Sequence, residues 1–346
     1  MRKILLLLLI LLLFAQPVSA KDYTAPTVPD AGAELMPVET ETFSQGLSKL
    51  LGNAIALISP SLAGAAGACL SLVGIVMLHS VLQTMPTDMK KVIGMVSALA
   101  IAGILLSRTN SMISLSVETI RELSDYGKLL LPVLTAALAA QGGISGAAAL
   151  YAGTAVFDTI LGTLIAKILI PMVYGYLILS IAGMATGSER MNKIRDLIKS
   201  LTAWSLKTMI YTFTGYITIT GVISGNADAT ALKVTKLTMS GMIPVVGGIL
   251  SDASEAVLVG AGVMKNAVGT YGLLAVLSLW LAPFLRIGAQ YLLLKLTGAL
   301  CATFGAKEPS QLIDQFSSAM GLLLGMTAAM CTLLLVSTVC FMRGVG

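Results

Sequence analysis

The segment best suited to chemistry is a short polar cluster that stands between two apolar runs: Ser251, Asp252, Ser254 and Glu255. Asp252 and Glu255 are three residues apart, a spacing that places both carboxylates on one face of a helix. Charges inside a membrane are costly and usually serve a function, so one interpretation is an ion or proton site at mid-membrane. The other is the solvent-touching tip of a re-entrant hairpin, because each flanking apolar arm is too short to cross a bilayer.

Other charged residues in or beside apolar runs are candidate partners for these carboxylates or for one another. Three bases follow the cluster in the chain: Lys265, Arg286 and Lys295. Asp158 and Lys167 form a second candidate pair in the first half. The alternative for the lysines is that each lies near the end of a span and extends its amine to the membrane interface.

The residue types that enzymes use for acid–base and metal chemistry are sparse. His79 is the sole histidine, and no His, Cys or carboxylate follows it at a metal-ligand spacing. No nucleophile with an identifiable base is present, and no Walker-type phosphate loop occurs. The cysteines lack a CxxC spacing and lie in or beside apolar stretches, as buried and inert thiols do: Cys69, Cys301, Cys331, Cys340. We therefore expect neither an enzyme nor a bound metal or cofactor.

Composition indicates that most of this chain lies in a membrane rather than in water. Of its 346 residues, 56% are hydrophobic and 11% are charged, whereas an ordinary soluble domain has about 25% charged residues. The mean hydropathy is +0.90. The net charge of +5 does not form a dense basic patch, so nucleic acid is not an expected partner. These properties predict an all-α integral membrane protein, a multi-pass helical bundle in a lipid bilayer.

The N-terminal region resembles a secretory signal followed by an exposed leader. Arg2 and Lys3 precede an apolar run that is too short to span, and small residues lead to Ala20. We expect a signal peptide at 1–20 that is cleaved after Ala20. The alternative is an uncleaved anchor. Residues 21–49 are rich in Pro and acidic residues and are expected to form an extracytoplasmic leader.

Three further segments can be distinguished by their patterns. Residues 50–114 predict a first helical hairpin. The uncharged run 129–157 is interrupted by Gln141, Gly142 and Gly143, which predicts a broken or re-entrant helix. Residues 189–207 form a basic amphipathic pattern, expected to be a cytoplasmic docking helix, with these charged residues on one side: Arg190, Lys193, Arg195, Lys199.

The second half repeats the order of features in the first half. Pro132 and Pro244 are 112 residues apart, as are Pro171 and Pro283. We interpret this as an internal duplication, with membrane repeats at 115–227 and 228–346. An outside N-terminus would place the basic helix in the cytoplasm, where basic residues concentrate. An even number of crossings in each half then makes the repeats parallel.

Several stretches also resemble one known family. The stretch SGMIPVVGGILSDASEAVLVGAGVMKNAVGTYGLLAV at 240–276 closely resembles stage III sporulation protein AE of endospore-forming bacteria. The resemblance extends to LLLPVLTAALAAQGG at 129–143, GSERMNKIRDLIKS at 187–200 and LAPFLRIGAQYLLLKLTGAL at 281–300. It implies a component of the sporulation channel, or feeding-tube, complex in the mother-cell membrane around the forespore. Its partners would be the other stage III membrane proteins, and its role would be to support late forespore gene expression after engulfment.

Two classes of function therefore stay open. In the first, the chain is a structural subunit of the channel complex. In the second, it is a secondary transporter or ion conductor whose polar hairpin tips line the path. Neutralising Asp252 and Glu255 would disable a transporter, whereas enlarging packed glycines would disable a scaffold. The sequence does not identify a transported species, a stoichiometry or the direct contacts between partners.

Overall fold

The computed structural model describes residues 26–36, 43–84, 87–140, 144–242 and 247–343. For 57–63, 220–242, 247–266 and a few positions at helix ends, it describes the backbone alone. Every regular element in these ranges is a helix, and the elements follow one another in this order: α1 Asp30–Ala33, α2 Phe43–Leu82, α3 Thr87–Ala140, α4 Ile144–Leu164, a π-helical turn Ile165–Leu169, α5 Ile170–Thr186, α6 Glu189–Met242, α7 Gly247–Thr303 and α8 Lys307–Arg343.

The long helices pair as antiparallel hairpins. In α2 and α3, Arg108 donates to the Gly64 carbonyl and His79 contacts Ser97, so residue numbers rise on one helix as they fall on the other. The continuous rod α4–α5 runs antiparallel to α6, since Gly183 lies beside Asn192 and Gly153 lies beside Tyr216. In the third hairpin, Lys295 of α7 pairs with Asp314 of α8.

Helix α8 lies at the centre of the bundle. Its buried residues recur at every turn and cover more than half of its circumference: Ile313, Phe316, Ser317, Ala319, Met320, Leu323, Met326, Met330, Leu333, Leu334. Gly127 of α3 and Leu206 of α6 both pack against this helix. A helix that is apolar around most of its circumference must be surrounded by other helices or by lipid, and here other helices surround it.

Five helical stretches in the described part of the chain are long and apolar enough to cross a membrane: Gly64–Leu82, Val92–Ala140, Gly146–Thr186, Ala267–Thr303 and Lys307–Met342. Large apolar side chains on the outside of the bundle remain exposed, including Leu70, Leu78 and Leu99. Such a surface suits lipid tails rather than water. The predicted all-α, multi-pass membrane architecture is confirmed.

The structure revises where the helices break. Helix α3 ends at Ala140 and α4 begins at Ile144, on either side of the predicted break at Gln141, Gly142 and Gly143, which lies outside the described residues. The backbone is helical without interruption over Gly247–Thr303, so the polar cluster at 251–255, predicted as a hairpin tip or an ion site, lies within helical backbone. Helix α6 ends at Met242, before Pro244, and a residue that precedes proline disfavours helical geometry. The proline therefore accounts for the position of the second break, and the polar cluster does not.

The predicted repeat boundaries do not coincide with helix ends. The 114/115 boundary lies inside α3, and the 227/228 boundary lies inside α6. A repeated local order is nevertheless present. In both halves a long helix that contains a proline ends near a left-handed glycine, and a new helix starts two residues later. The two glycines are Gly187, with φ 66°, and Gly305, with φ 78°. Glycine suits this conformation because it lacks a Cβ.

Candidate functional site

The predicted polar cluster lies in the first turns of α7. The backbone at Ser251, Asp252, Ser254 and Glu255 is helical, and the side chains of these residues lie outside the described part of the structure, as does that of Lys265. Their proposed roles as an ion site or a hairpin tip therefore rest on sequence alone. The helical backbone does keep Asp252 and Glu255 one turn apart on a shared face.

The other two predicted bases of the second half have separate environments. Lys295 donates to Asp314 across the α7–α8 hairpin, and both side chains are about half exposed. An exposed pair of this kind contributes little to stability. Arg286 is half-buried in α7, and none of the described residues accepts a hydrogen bond from its Nε. The structure thus assigns Lys295 to an α8 carboxylate.

The predicted docking helix is the N-terminal part of α6. Lys199 donates to Ser318 of α8, and Arg195 bonds Asn192 and Asp196 of its own helix. Arg190 and Lys193 point outward and are exposed. The helix packs on the bundle through the side that contains Ile198 and Leu206, which leaves a second apolar stripe uncovered: Ile194, Leu197, Leu201, Trp204. We call these four residues the α6 stripe.

Asp158 of α4 is the most deeply buried carboxylate that the structure describes. It is 4% exposed, and its Oδ2 accepts a hydrogen bond of 2.6 Å from Ser124 Oγ of α3. Its predicted partner Lys167 is exposed and lies nine residues further on, which is about 13 Å along a helix. Ser124 is therefore the partner of Asp158 in place of Lys167. The second carboxylate oxygen, Oδ1, is also buried, and it has no hydrogen-bond partner in the described structure.

A cavity of about 470 Å³ opens beside this carboxylate, between α3 and α4. Besides Asp158, its polar lining consists of Arg121, Ser124, Asp125, Lys128, Thr159 and Thr163. Lys128 is held on Asp125 by an ion pair of 2.8 Å in which both side chains are exposed. The cavity thus has one deeply buried acidic group, an outer pair whose charges cancel, and the exposed guanidinium of Arg121.

The cavity borders an irregularity of the helix. Its wall includes Ile165 and Ala166, which belong to the π-helical turn Ile165–Leu169. A π-helical turn inserts an extra residue and interrupts the α-helical hydrogen-bond ladder, and such turns occur often at functional sites. The turn separates α4 from α5 within one continuous rod. The cavity therefore lies beside the point at which the hydrogen-bond register of the helix shifts.

A second polar contact fastens α2 to α3. Gln83 Nε2 lies 3.3 Å from His79 Nε2, and His79 Nδ1 lies 2.7 Å from Ser97 Oγ. Because the Gln83 amide nitrogen donates, His79 Nε2 accepts. His79 Nδ1 then carries the proton and donates it to Ser97 Oγ, so the imidazole is neutral. His79 is 3% exposed at the base of an apolar groove of about 340 Å³. The contact joins two helices and brings no second catalytic group to the histidine.

Sequence reasoning named Asp158 but not its environment. Ser124 is 34 residues away, and nothing in the local pattern marks that serine as its partner. The available signal was the run of charged residues at 118–128 within an apolar region, which we expect to contact water or polar groups. Among the described residues, no three His, Cys, Asp or Glu side chains converge as a metal site would require.

Comparisons with known proteins identify the relatives of this chain. The family described as stage III sporulation protein AE matches residues 34–346. Stage III sporulation protein AE of Bacillus subtilis (strain 168) is 25% identical over 205 residues, which are 59% of this chain and 51% of the relative. The match thus spans about half the length of that relative. No solved structure matches the chain. The chain therefore belongs to the stage III sporulation protein AE family, a family of sporulation proteins, and its apolar helices make it a membrane member.

Proposed function

We propose that this protein is a multi-pass membrane subunit of the stage III sporulation channel, or feeding-tube, complex between mother cell and forespore. Its role there is to support late forespore gene expression after engulfment. The observation that carries this proposal is the family match over 34–346 of a chain with five membrane-length apolar stretches. The proposed location is the mother-cell membrane around the forespore, and the role is a non-enzymatic one.

The distribution of charge supports an orientation for this subunit. One end of the bundle is marked by the contact of Ser80 with the Phe304 carbonyl and by the two left-handed glycines. Near that end lie the basic residues of α6 and Lys307 at the start of α8. Basic residues concentrate on the cytoplasmic side of membrane proteins. We therefore place this end in the mother-cell cytoplasm and the leader at 21–49 on the opposite side.

The α6 stripe is the proposed contact with the rest of the complex. Its four side chains are 44–64% exposed, and Trp204 is the most exposed of them. Arg190 and Lys193 lie beside the stripe, so the surface combines an apolar strip with basic charge. Large exposed apolar groups of this kind are typical of interfaces with protein or membrane, and tryptophan is a frequent binding hot spot. We assign the stripe to another stage III membrane protein at the cytoplasmic face.

A sporulation assay tests the proposed role. Cells that lack this chain should complete engulfment and then fail to express a late forespore reporter, and a plasmid copy should restore expression. A copy with Trp204→Ala and Leu197→Ala should restore membrane insertion but not reporter expression. The matched control is Ile178→Ala, an exposed α5 residue outside the stripe. Normal reporter expression in the deletion strain would refute the proposal.

Cysteine labelling tests the orientation separately. In a chain with its four native cysteines replaced by Ala, Lys199→Cys should react with an impermeant reagent only after the cytoplasmic face is opened. Asp30→Cys, on the leader side, should react in intact protoplasts. The reverse pattern would invert the bundle and remove the cytoplasmic assignment of α6.

A further inference from the structure

The geometry around Asp158 points to a binding site for a small monovalent cation in the cavity between α3 and α4. Its central ligand is the buried Oδ1 oxygen of Asp158, which no described residue contacts through a hydrogen bond. A carboxylate that is 4% exposed has given up most of its hydration, and a single hydrogen bond from Ser124 compensates only part of that loss. A cation in the cavity would supply the missing interaction.

The donors around the cavity favour an alkali cation over other ions. Asp158 contributes one negative charge, and Ser124, Thr159 and Thr163 contribute neutral hydroxyl oxygens. Oxygen ligands suit hard cations. Calcium requires six to eight oxygen ligands, usually with several carboxylates, and transition metals prefer His or Cys. The described residues include no cluster of three such side chains. One charge with neutral oxygens matches one positive charge.

Neither basic residue of the cavity lining, Arg121 or Lys128, donates a hydrogen bond to the buried Oδ1 of Asp158. Lys128 is bound to Asp125 at 2.8 Å, so its charge is balanced by a carboxylate other than Asp158. Arg121 also lines the cavity, but its side chain is exposed at the mouth. The cavity volume of about 470 Å³ holds a cation together with several waters that complete its coordination.

The site lies within the apolar stretch Gly146–Thr186, beside the π-helical turn. An ionisable group in such a stretch is expensive and is generally retained for function. For the alternative function as an ion conductor, this placement makes Asp158 of α4 the ion-binding residue in place of the 251–255 cluster. The inference does not depend on membership in a channel complex, since it concerns the binding chemistry of this chain alone.

The test compares unfolding midpoints of the purified full-length chain in detergent, in NaCl, KCl and choline chloride at equal ionic strength. A ligand that binds the native state stabilises it, so we expect Na⁺ or K⁺ to raise the midpoint by about 2–4 °C over choline. Asp158→Asn should abolish the rise. Glu118→Gln, which changes an exposed α3 carboxylate outside the cavity lining, should retain it, and Arg121→Gln should retain or enlarge it.

Binding of ²²Na⁺ to the wild-type chain gives a readout that needs no variant. The site predicts saturable binding of one ion per chain, displaced by unlabelled Na⁺ and not by choline. Equal midpoints in all three salts together with no saturable binding would overturn the proposal. A Na⁺-dependent shift that survives Asp158→Asn, or that disappears in Arg121→Gln, would place the ion elsewhere and overturn it equally.

Discussion

The C-terminal hairpin α7–α8 and the N-terminal hairpin α2–α3 are built from similarly apolar sequences but are packed very differently. In the most apolar window of Lys307–Met342, 61% of the residues are buried, whereas the corresponding fraction for Gly64–Leu82 is 22%. Their hydropathies, 2.1 and 2.0, are nearly equal. Hydropathy therefore identifies what can enter a membrane, and packing determines which helices form the centre and which face lipid or partners.

The chemical character of the contacts differs as well. The α7–α8 hairpin is held mainly by close apolar packing around α8, such as Leu323 and Phe316. The α2–α3 hairpin is less buried, and its polar contacts join His79 to Ser97 and Arg108 to the Gly64 carbonyl. Membrane helices use both devices, because lipid tails compete with apolar side chains but not with hydrogen bonds. Four predictions test this contrast.

The largest expected difference comes from removing a leucine in each hairpin. Leu323→Ala deletes a fully buried side chain of α8 and should destabilise the protein by about 2–5 kcal/mol, because a cavity remains. Leu70→Ala in α2 removes a side chain that is 74% exposed and should cost less than about 0.5 kcal/mol. Unfolding in detergent by increasing SDS measures both. Equal losses of stability in the two variants would show that α8 is no more a part of the packed core than α2 is.

A pair of glycine substitutions should produce the next largest difference. A Cβ at Gly272 of α7 would lie 2.8 Å from a methyl carbon of Leu130, so Gly272→Val should cost about 1–3 kcal/mol through overpacking. Gly103 of α3 has open space around it, and Gly103→Val should be nearly neutral in the same unfolding assay. A larger loss of stability for Gly103→Val than for Gly272→Val would contradict this prediction. It would show that α7 and α3 are not closely packed at Gly272.

A smaller effect is expected from the polar contact in the N-terminal hairpin. Ser97→Ala removes the partner of His79 and should cost about 0.6–1.7 kcal/mol, the range measured for hydrogen bonds between membrane helices. A double-mutant cycle with His79→Ala isolates the coupling between the two side chains. Additive effects of the two changes would show that the hydrogen bond does not fasten α2 to α3.

The smallest effect belongs to the exposed ion pair of the C-terminal hairpin. Lys295→Gln should change stability by about 0–1 kcal/mol, because both partners are about half exposed and water screens their attraction. The residual effect should shrink further in high salt. A large loss of stability on this change would mean that the α7–α8 hairpin depends on charge rather than on packing.

Particular residues show how far the sequence predicts this molecule. The Gln–Gly–Gly segment predicts the end of α3, which falls at Ala140, because this signal is local. The cluster at 251–255 lies within helical backbone, since helix-compatible Ala and Glu residues continue α7 through it. Local polarity alone did not indicate a turn, whereas the nearby Pro244 accounts for the helix boundary.

The Asp158 site shows the limit of sequence reasoning more clearly. The carboxylate was noticed because it interrupts an apolar run, but its predicted partner Lys167 was chosen for proximity along the chain. The observed partner, Ser124, lies on another helix, and the contact exists because α3 and α4 pack against each other. Distances between helices depend on packing, and a single sequence carries no direct record of them.

The central claim is that this chain works as a membrane subunit of a multi-protein sporulation complex. Photo-crosslinking in sporulating cells tests it most directly, with a photoreactive residue at Trp204 of the α6 stripe or, as the matched exposed control, at Ile178 of α5. Our account predicts that Trp204 yields an adduct whose second component is another stage III sporulation membrane protein, identified by mass spectrometry, and that Ile178 does not. Adducts with lipid alone at both positions, in cells that are completing spore formation, would contradict it.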